Sequence, residues 1–173
     1  YLDACRRVQI LFLIRSKKKL SIREIKKFKP NYILFYGWSD KVPKFIIKSF
    51  FCIMLHPSPL PKFRGGSPLQ NQIIRNIAKS KVTLFKMTEK IDSGPILLSK
   101  NLSLKGHMQE IFERLTSIGI ELTLKVLKNK YKLKKQNSKK VSFYKRRKPS
   151  QSEINISELK NKDNKYLLNK IRM

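Results

Sequence analysis

The 173-residue sequence predicts an α/β fold, a mostly parallel sheet with flanking helices followed by a short basic C-terminal extension. Three observations carry this expectation. Short apolar runs alternate with helix-like segments, which is the pattern of strand, crossover and strand. Residues 31–36 and 52–56 are apolar without strict alternation, as strands buried on both faces are. Residues 107–128 place Met108, Ile111, Phe112, Leu115, Ile118, Leu122 and Val126 at three- and four-residue spacing, the mark of a helix lying against a sheet.

In chain order, residues 8–14 read as a first buried strand, closed by a turn at Lys17, Lys18 and Lys19. Ser21 and Glu24 form a Ser-x-x-Glu capping box that opens a short helix ending before Pro30. The strand at 31–36 stops at Gly37, and Pro43 sits where a helix over 44–50 can begin. The strand at 52–56 ends on His56, where a loop with three prolines and two glycines takes over. Side chains alternate along a strand, so Met54 faces the same side as His56. Ser67, Pro68 and Gln70 signal a helix running to about residue 76. Residues 81–87 alternate as a strand does, 90–95 form a turn containing Asp92, and 96–104 form another strand. Beyond the long helix the chain becomes lysine-rich, with a short strand at 140–144, a loop at 145–149 and a final helix at 166–171.

A chain of this length with 40% hydrophobic residues supports one domain with its own core. The expected division is a main domain over 1–128 and an extension over 129–173. Cys5 and Cys52 have no metal-ligand spacing, which points to a reduced, cytoplasmic chain without a disulfide or a bound metal. The apolar runs are too short or too interrupted for a bilayer span, so a soluble protein with no membrane partner is expected. The formal charge of +29 would attract polyanions such as tRNA or phosphorylated substrates. Lysines are spread over nearly every segment, however, so the charge by itself identifies no partner.

In an open α/β sheet, ligands bind beyond the carboxyl ends of the strands. Gly37, Trp38, His56 and the Asp92 turn are all expected on that edge. A histidine there can take a proton from a nucleophile while a carboxylate orients and stabilises the imidazole, the chemistry a His56–Asp92 pair would support.

The segment His56-Pro-Ser-Pro-Leu-Pro-Lys-Phe-Arg-Gly-Gly-Ser-Pro-Leu-Gln-Asn-Gln-Ile-Ile, followed by Val82-Thr-Leu-Phe-Lys-Met-Thr-Glu-Lys-Ile-Asp-Ser-Gly-Pro-Ile-Leu, resembles the formyltransferase family that uses 10-formyltetrahydrofolate. That family includes methionyl-tRNA formyltransferase, glycinamide ribonucleotide transformylase and nucleotide-sugar N-formyltransferases. The details Gly37-Trp38-Ser39, Arg64-Gly65-Gly66-Ser67-Pro68 and Lys145-Arg146-Arg147-Lys148-Pro149 look most like the sugar branch.

The resemblance implies a Rossmann-like sheet on which the amine of a nucleotide-linked amino sugar attacks the formyl carbon; tRNA is the alternative acceptor. It further implies His56 as general base, Asp92 as its support, and Met54 in the place of an asparagine that donates to the developing oxyanion. A thioether donates no hydrogen bond, so weak or lost activity, or a remnant that only binds folate, is the corresponding expectation. The folate would lie against Gly37, Trp38, Val42, Pro43, Ile91 and Asp92, and the acceptor against Ser58, Lys62, Arg64, Gly65 and Gly66. The family sheet begins with a strand, helix and strand ahead of this one, and its C-terminal part runs on, so the sequence reads as incomplete at both ends, with exposed strand edges that favour association. A homodimer remains open.

Overall fold

The structure is a computed structural model and describes residues 21–173; the expected strand at 8–14 and the lysine turn after it lie outside the described residues. The described chain begins with α1 (Ile22–Phe28), β1 (Ile33–Phe35), α2 (Lys44–Ser49), β2 (Cys52–His56), β3 (Arg64–Gly65) and α3 (Pro68–Ile73). It continues with β4 (Lys79–Lys86), β5 (Ile96–Ser103), α4 (Met108–Leu127), β6 (Phe143–Tyr144), α5 (Ile156–Asn161) and α6 (Asn164–Ile171). The α/β class and the flanking helices are as expected.

The main sheet has the order β1-β2-β4-β5. Among the described residues its parallel pairing is β1 with β2, where Phe35 lies opposite Met54. The other two pairings are antiparallel, so this part of the sheet is mixed. The reason is connection length. Residues 87–95 are too few for a crossover, which takes about a dozen residues, so β5 returns beside β4 as its antiparallel neighbour. The chain between β2 and β4 stays at the carboxyl end of β2, and His56 pairs with Thr83 while β4 runs back toward Ile53.

Alternation along β2 divides the core in two. Ile53 and Leu55 join Ile73, Leu84, Ile111 and Val126 on the α4 face. Cys52 and Met54 face the opposite cluster of Ile25, Phe35, Val42 and Ile46. Each fully buried aliphatic side chain contributes about 1.5–3 kcal/mol, so both layers hold the strand that presents His56. A Cβ on Gly119 would lie 2.8 Å from Leu55 Cδ1, and this close approach seats the middle of α4 on β2. Phe112, expected in the buried stripe, is 46% exposed, because neighbouring Ile111 takes the inward position and the next residue turns about 100° away.

Local signals explain most boundaries. Ser21 Oγ accepts from the Glu24 N–H at 3.5 Å, and α1 closes at Lys29 with φ +48°. Three boundary expectations fail. Ser67 precedes α3 with φ +48° and makes no side-chain cap; its hydroxyl instead accepts from the Arg147 N–H at 3.1 Å. Helix α3 ends at Ile73, since the chain turns through Asn76 at φ +58°. The expected strand at 31–36 narrows to three residues.

The extension is tied to the body at several points. Lys134 bridges to Ile96, and β6 pairs in parallel with β3, Arg64 opposite Phe143 and Gly65 opposite Tyr144. Arg172 donates to the carbonyls of Leu104 at 2.8 Å and Gly106 at 2.6 Å. The α5 and α6 helices are joined by Glu158, whose carboxylate meets buried Lys170 at 2.7 Å and Tyr166 Oη at 2.9 Å. Among the described residues no helix is long and apolar enough to cross a membrane.

Candidate active site

Strand β2 ends on His56, which is 6% exposed despite its polarity. A buried imidazole needs partners for its ring nitrogens. Nε2 lies 2.8 Å from the Phe63 carbonyl oxygen, which can only accept, so this nitrogen carries a proton and donates. The Phe63 carbonyl is aimed there by a left-handed backbone at φ +58°. Phe63 is itself fixed by the extension: its N–H donates to Ser142 Oγ at 2.9 Å, and its ring stacks on Tyr144 at 4.8 Å between centroids.

The neutral ring that donates from Nε2 keeps its lone pair on Nδ1, and Nδ1 lies 3.8 Å from Asp92 Oδ2. That distance exceeds a hydrogen bond, so the ring is held by Phe63 and faced by the Asp92 carboxylate. Asp92 remains placed to stabilise positive charge on the ring. Its Oδ2 accepts from the Gly65 N–H at 2.7 Å, and the residue sits at φ +47° in a turn braced by Ser93 and Thr88. Gly94 follows, where a Cβ would lie 1.7 Å from the Lys86 carbonyl oxygen. The turn can therefore pack against β4 only with glycine there.

The glycines before α3 answer to the same constraint of space. A Cβ on Gly65 would lie 2.2 Å from the Tyr144 carbonyl oxygen, and one on Gly66 would lie 2.5 Å from Arg146 Cα. Gly65 also needs its φ of +95°. Their absent side chains let the extension run along the loop, where the Gly66 N–H donates to Tyr144 at 2.9 Å. Arg146 reaches across to the Ser39 carbonyl at 3.4 Å, linking this loop to the rim beyond β1.

The other sequence-derived candidates differ in burial. Gly37, with φ +62° and nothing within 4 Å of a Cβ position, and Trp38 lie at the carboxyl end of β1, on the edge that holds His56. Trp38 packs edge-on against Phe35 at 5.6 Å, and its Nε1 is a buried donor with no partner among the described residues. Met54 is half-buried on the Cys52 side of β2. Ser58 and Val42 are committed to the interior. Ser58 is fully buried, its hydroxyl donating to the Lys62 carbonyl at 2.9 Å and its carbonyl accepting from Thr83 at 2.7 Å. Val42 is 4% exposed beneath α2, just ahead of Pro43. Lys62 and Ile91 project outward, and Arg64 is half-buried, donating from Nη2 to Gln136 Oε1 at 2.7 Å.

Sequence reasoning missed Phe63, Gln136, Ser142 and Tyr144. Phe63 acts through its backbone, which no side-chain pattern reveals. The others stand in a lysine-rich tract whose only signal was the short strand expected at 140–144. Among the described residues no group of three or more His, Cys, Asp or Glu is arranged to hold a metal ion.

Residues 14–127 match the family described as Formyl transferase. A methionyl-tRNA formyltransferase of Campylobacter jejuni (strain RM1221) is 35% identical over 154 residues, covering 87% of this chain and 50% of that protein. The structure of methionyl-tRNA formyltransferase from Clostridium thermocellum superposes with a TM-score of 0.85 at 37% identity, covering 92% of this chain and 69% of the other. A Helicobacter canadensis N-formyltransferase in complex with folinic acid and dTDP-3-aminofucose shares the fold, with a TM-score of 0.64 at 24% identity over 81% of this chain and 54% of that one. The chain spans about half the length of the curated relatives it matches. By this match and by its fold, the chain belongs to the formyltransferase family.

Proposed function

We propose that this chain transfers a formyl group from 10-formyltetrahydrofolate to a primary amine, with methionyl-tRNA as the acceptor. The observation that carries the reading is the His56 ring: Nε2 held by the Phe63 carbonyl at 2.8 Å, Nδ1 free to accept a proton 3.8 Å from the Asp92 carboxylate. As the amine attacks the formyl carbon, His56 Nδ1 takes the proton the amine must lose, and Asp92 stabilises the imidazolium. When the carbon–nitrogen bond to the folate breaks, the same ring returns a proton to the departing nitrogen. The folate heterocycle would lie in the open space at Gly37, against Trp38 and beside Pro43 and the exposed Ile91. Residues 1–128 would carry this chemistry, with 129–173 opening a further subdomain that already borders the site.

Two features favour the tRNA acceptor: the relatives at 33–36% identity bear that activity in their names, and the net charge of +29 suits a polyanion. A nucleotide-linked amino sugar is the second reading, favoured by Arg146 and its neighbours lying against the Gly65-Gly66 loop, where a diphosphate would find cations.

Formyl transfer from 10-formyltetrahydrofolate should be measured with charged initiator tRNA and with dTDP-amino sugars. The expected result is transfer to tRNA that His56→Gln abolishes and that weakens by about 10³–10⁵ in affinity between about 50 and 200 mM salt. Transfer to the sugar alone would replace the acceptor. Turnover unchanged by His56→Gln would overturn the catalytic assignment.

A further inference from the structure

Gln136 lies outside every motif that marks the family resemblance, yet its carboxamide is fully used at the edge of the site. Both hydrogens of Nε2 are donated to the turn that carries Asp92, one to the Asp92 carbonyl at 2.9 Å and one to the Gly94 carbonyl at 2.7 Å. Its Oε1 accepts from Arg64, Nη2 at 2.7 Å and Nε at 3.3 Å. Arg64 immediately precedes Gly65, whose N–H holds the Asp92 carboxylate at 2.7 Å. One side chain therefore grips both the backbone that bears the carboxylate and the strand that supplies its hydrogen bond.

We infer that Gln136 is a positioning residue for the His56–Asp92 pair, setting through the Asp92 turn and Arg64 how closely the carboxylate faces the imidazole. Asp92 stands at φ +47°, a region uncommon for non-glycine residues though more accessible to aspartate than to most, and the two hydrogen bonds from Gln136 hold the turn in it. Phe63 fixes the ring from one side, and Gln136 fixes the carboxylate from the other. Loss of the amide leaves two carbonyls and a guanidinium without their partner, so the turn shifts relative to β2. This role rests on the assignment of His56 and Asp92 made above.

The test is a double-mutant cycle between Gln136→Met, which removes the hydrogen bonds at little change in charge or volume, and Asp92→Asn. The readout is the imidazole ¹⁵N resonance of His56 Nδ1 at fixed pH. The chain has two histidines, so His107→Gln completes the assignment. Gln136→Met is expected to move the resonance when Asp92 is present and to leave it in place in the Asp92→Asn background. No movement with Asp92 present, or equal movement in both backgrounds, overturns the proposal. Gln136→Asn, which keeps an amide too short to span both partners, reads the same cycle if the methionine variant does not fold. This readout needs no turnover, so a chain that transfers no formyl group defeats the catalytic reading and leaves the positioning test standing. With turnover, Gln136→Met is expected to lower kcat by up to about 10²-fold, the effect of a displacement of about 1 Å, with the KM for the folate unchanged.

Discussion

Two residues apart on β2, His56 and Met54 set what the site can do. The imidazole donates from Nε2 to the Phe63 carbonyl and turns Nδ1 toward the Asp92 carboxylate, so on the proposed assignment the base is complete without the acceptor. The electrophilic side is not. Met54 lies on the Cys52 side of the strand among apolar neighbours and offers no hydrogen to a developing oxyanion. A lost donor of this kind costs about 10²–10³ in rate, so Met54→Asn is expected to raise the initial rate of formyl transfer by that factor. Equal rates for the two proteins would show that another donor serves the oxyanion. Met54 is half-buried against the apolar cluster of Ile25, Phe35, Val42, Ile46 and Cys52, so some loss of stability should accompany the gain in rate.

At the scale of elements, the extension is held by its own polar chemistry. The Glu158 carboxyl is drawn down from 4.5 to about 2, first by its hydrogen bonds to Lys170 and then by those to the Asn155 backbone and Tyr166. A carboxylate whose folded value is depressed adds stability that is complete above its unfolded value and disappears as pH falls toward the folded one. Helices α5 and α6 are therefore expected to loosen between about pH 4.5 and 2, as read by amide exchange in α6, and Glu158→Gln should remove that acid dependence. How legible these elements were depended on where their signals lay. Strand β2 and helices α2 and α4 were read to within a residue or two, because hydrophobic period, proline and glycine mark their limits locally. The direction of β4 was not legible, since it depends on which end of the sheet the chain re-enters. Nor was the Ser67 hydroxyl, which looks like a cap by position but is taken by Arg147, a residue 80 positions later. The pairing of His56 with Asp92 was read from the shared edge of the sheet and then from family motifs; the hold on each by Phe63 and Gln136 is made of backbone and long-range contacts that leave no periodic trace.

For the molecule as a whole, 40 lysines and arginines face 11 acids, so most cations have no carboxylate to answer them. The ion pairs that form, such as Lys44 and Lys48 with Glu89, are exposed and individually weak. Repulsion among the remaining cations opposes compaction, and it is screened once the Debye length shrinks to about 8 Å near 0.15 M salt. The melting temperature is expected to rise from low ionic strength to that range, measured by calorimetry; a fall would mean that the ion pairs outweigh the repulsion. The ladder between β3 and β6 has a different consequence, in the order of manufacture. The ribosome delivers the histidine and the carboxylate early, and the segment that locks them dozens of codons later. Until Tyr144 has left the exit tunnel, the nascent sheet holds His56 and Asp92 without the segment that braces them, so the two side chains are aligned only after the core strands have been made.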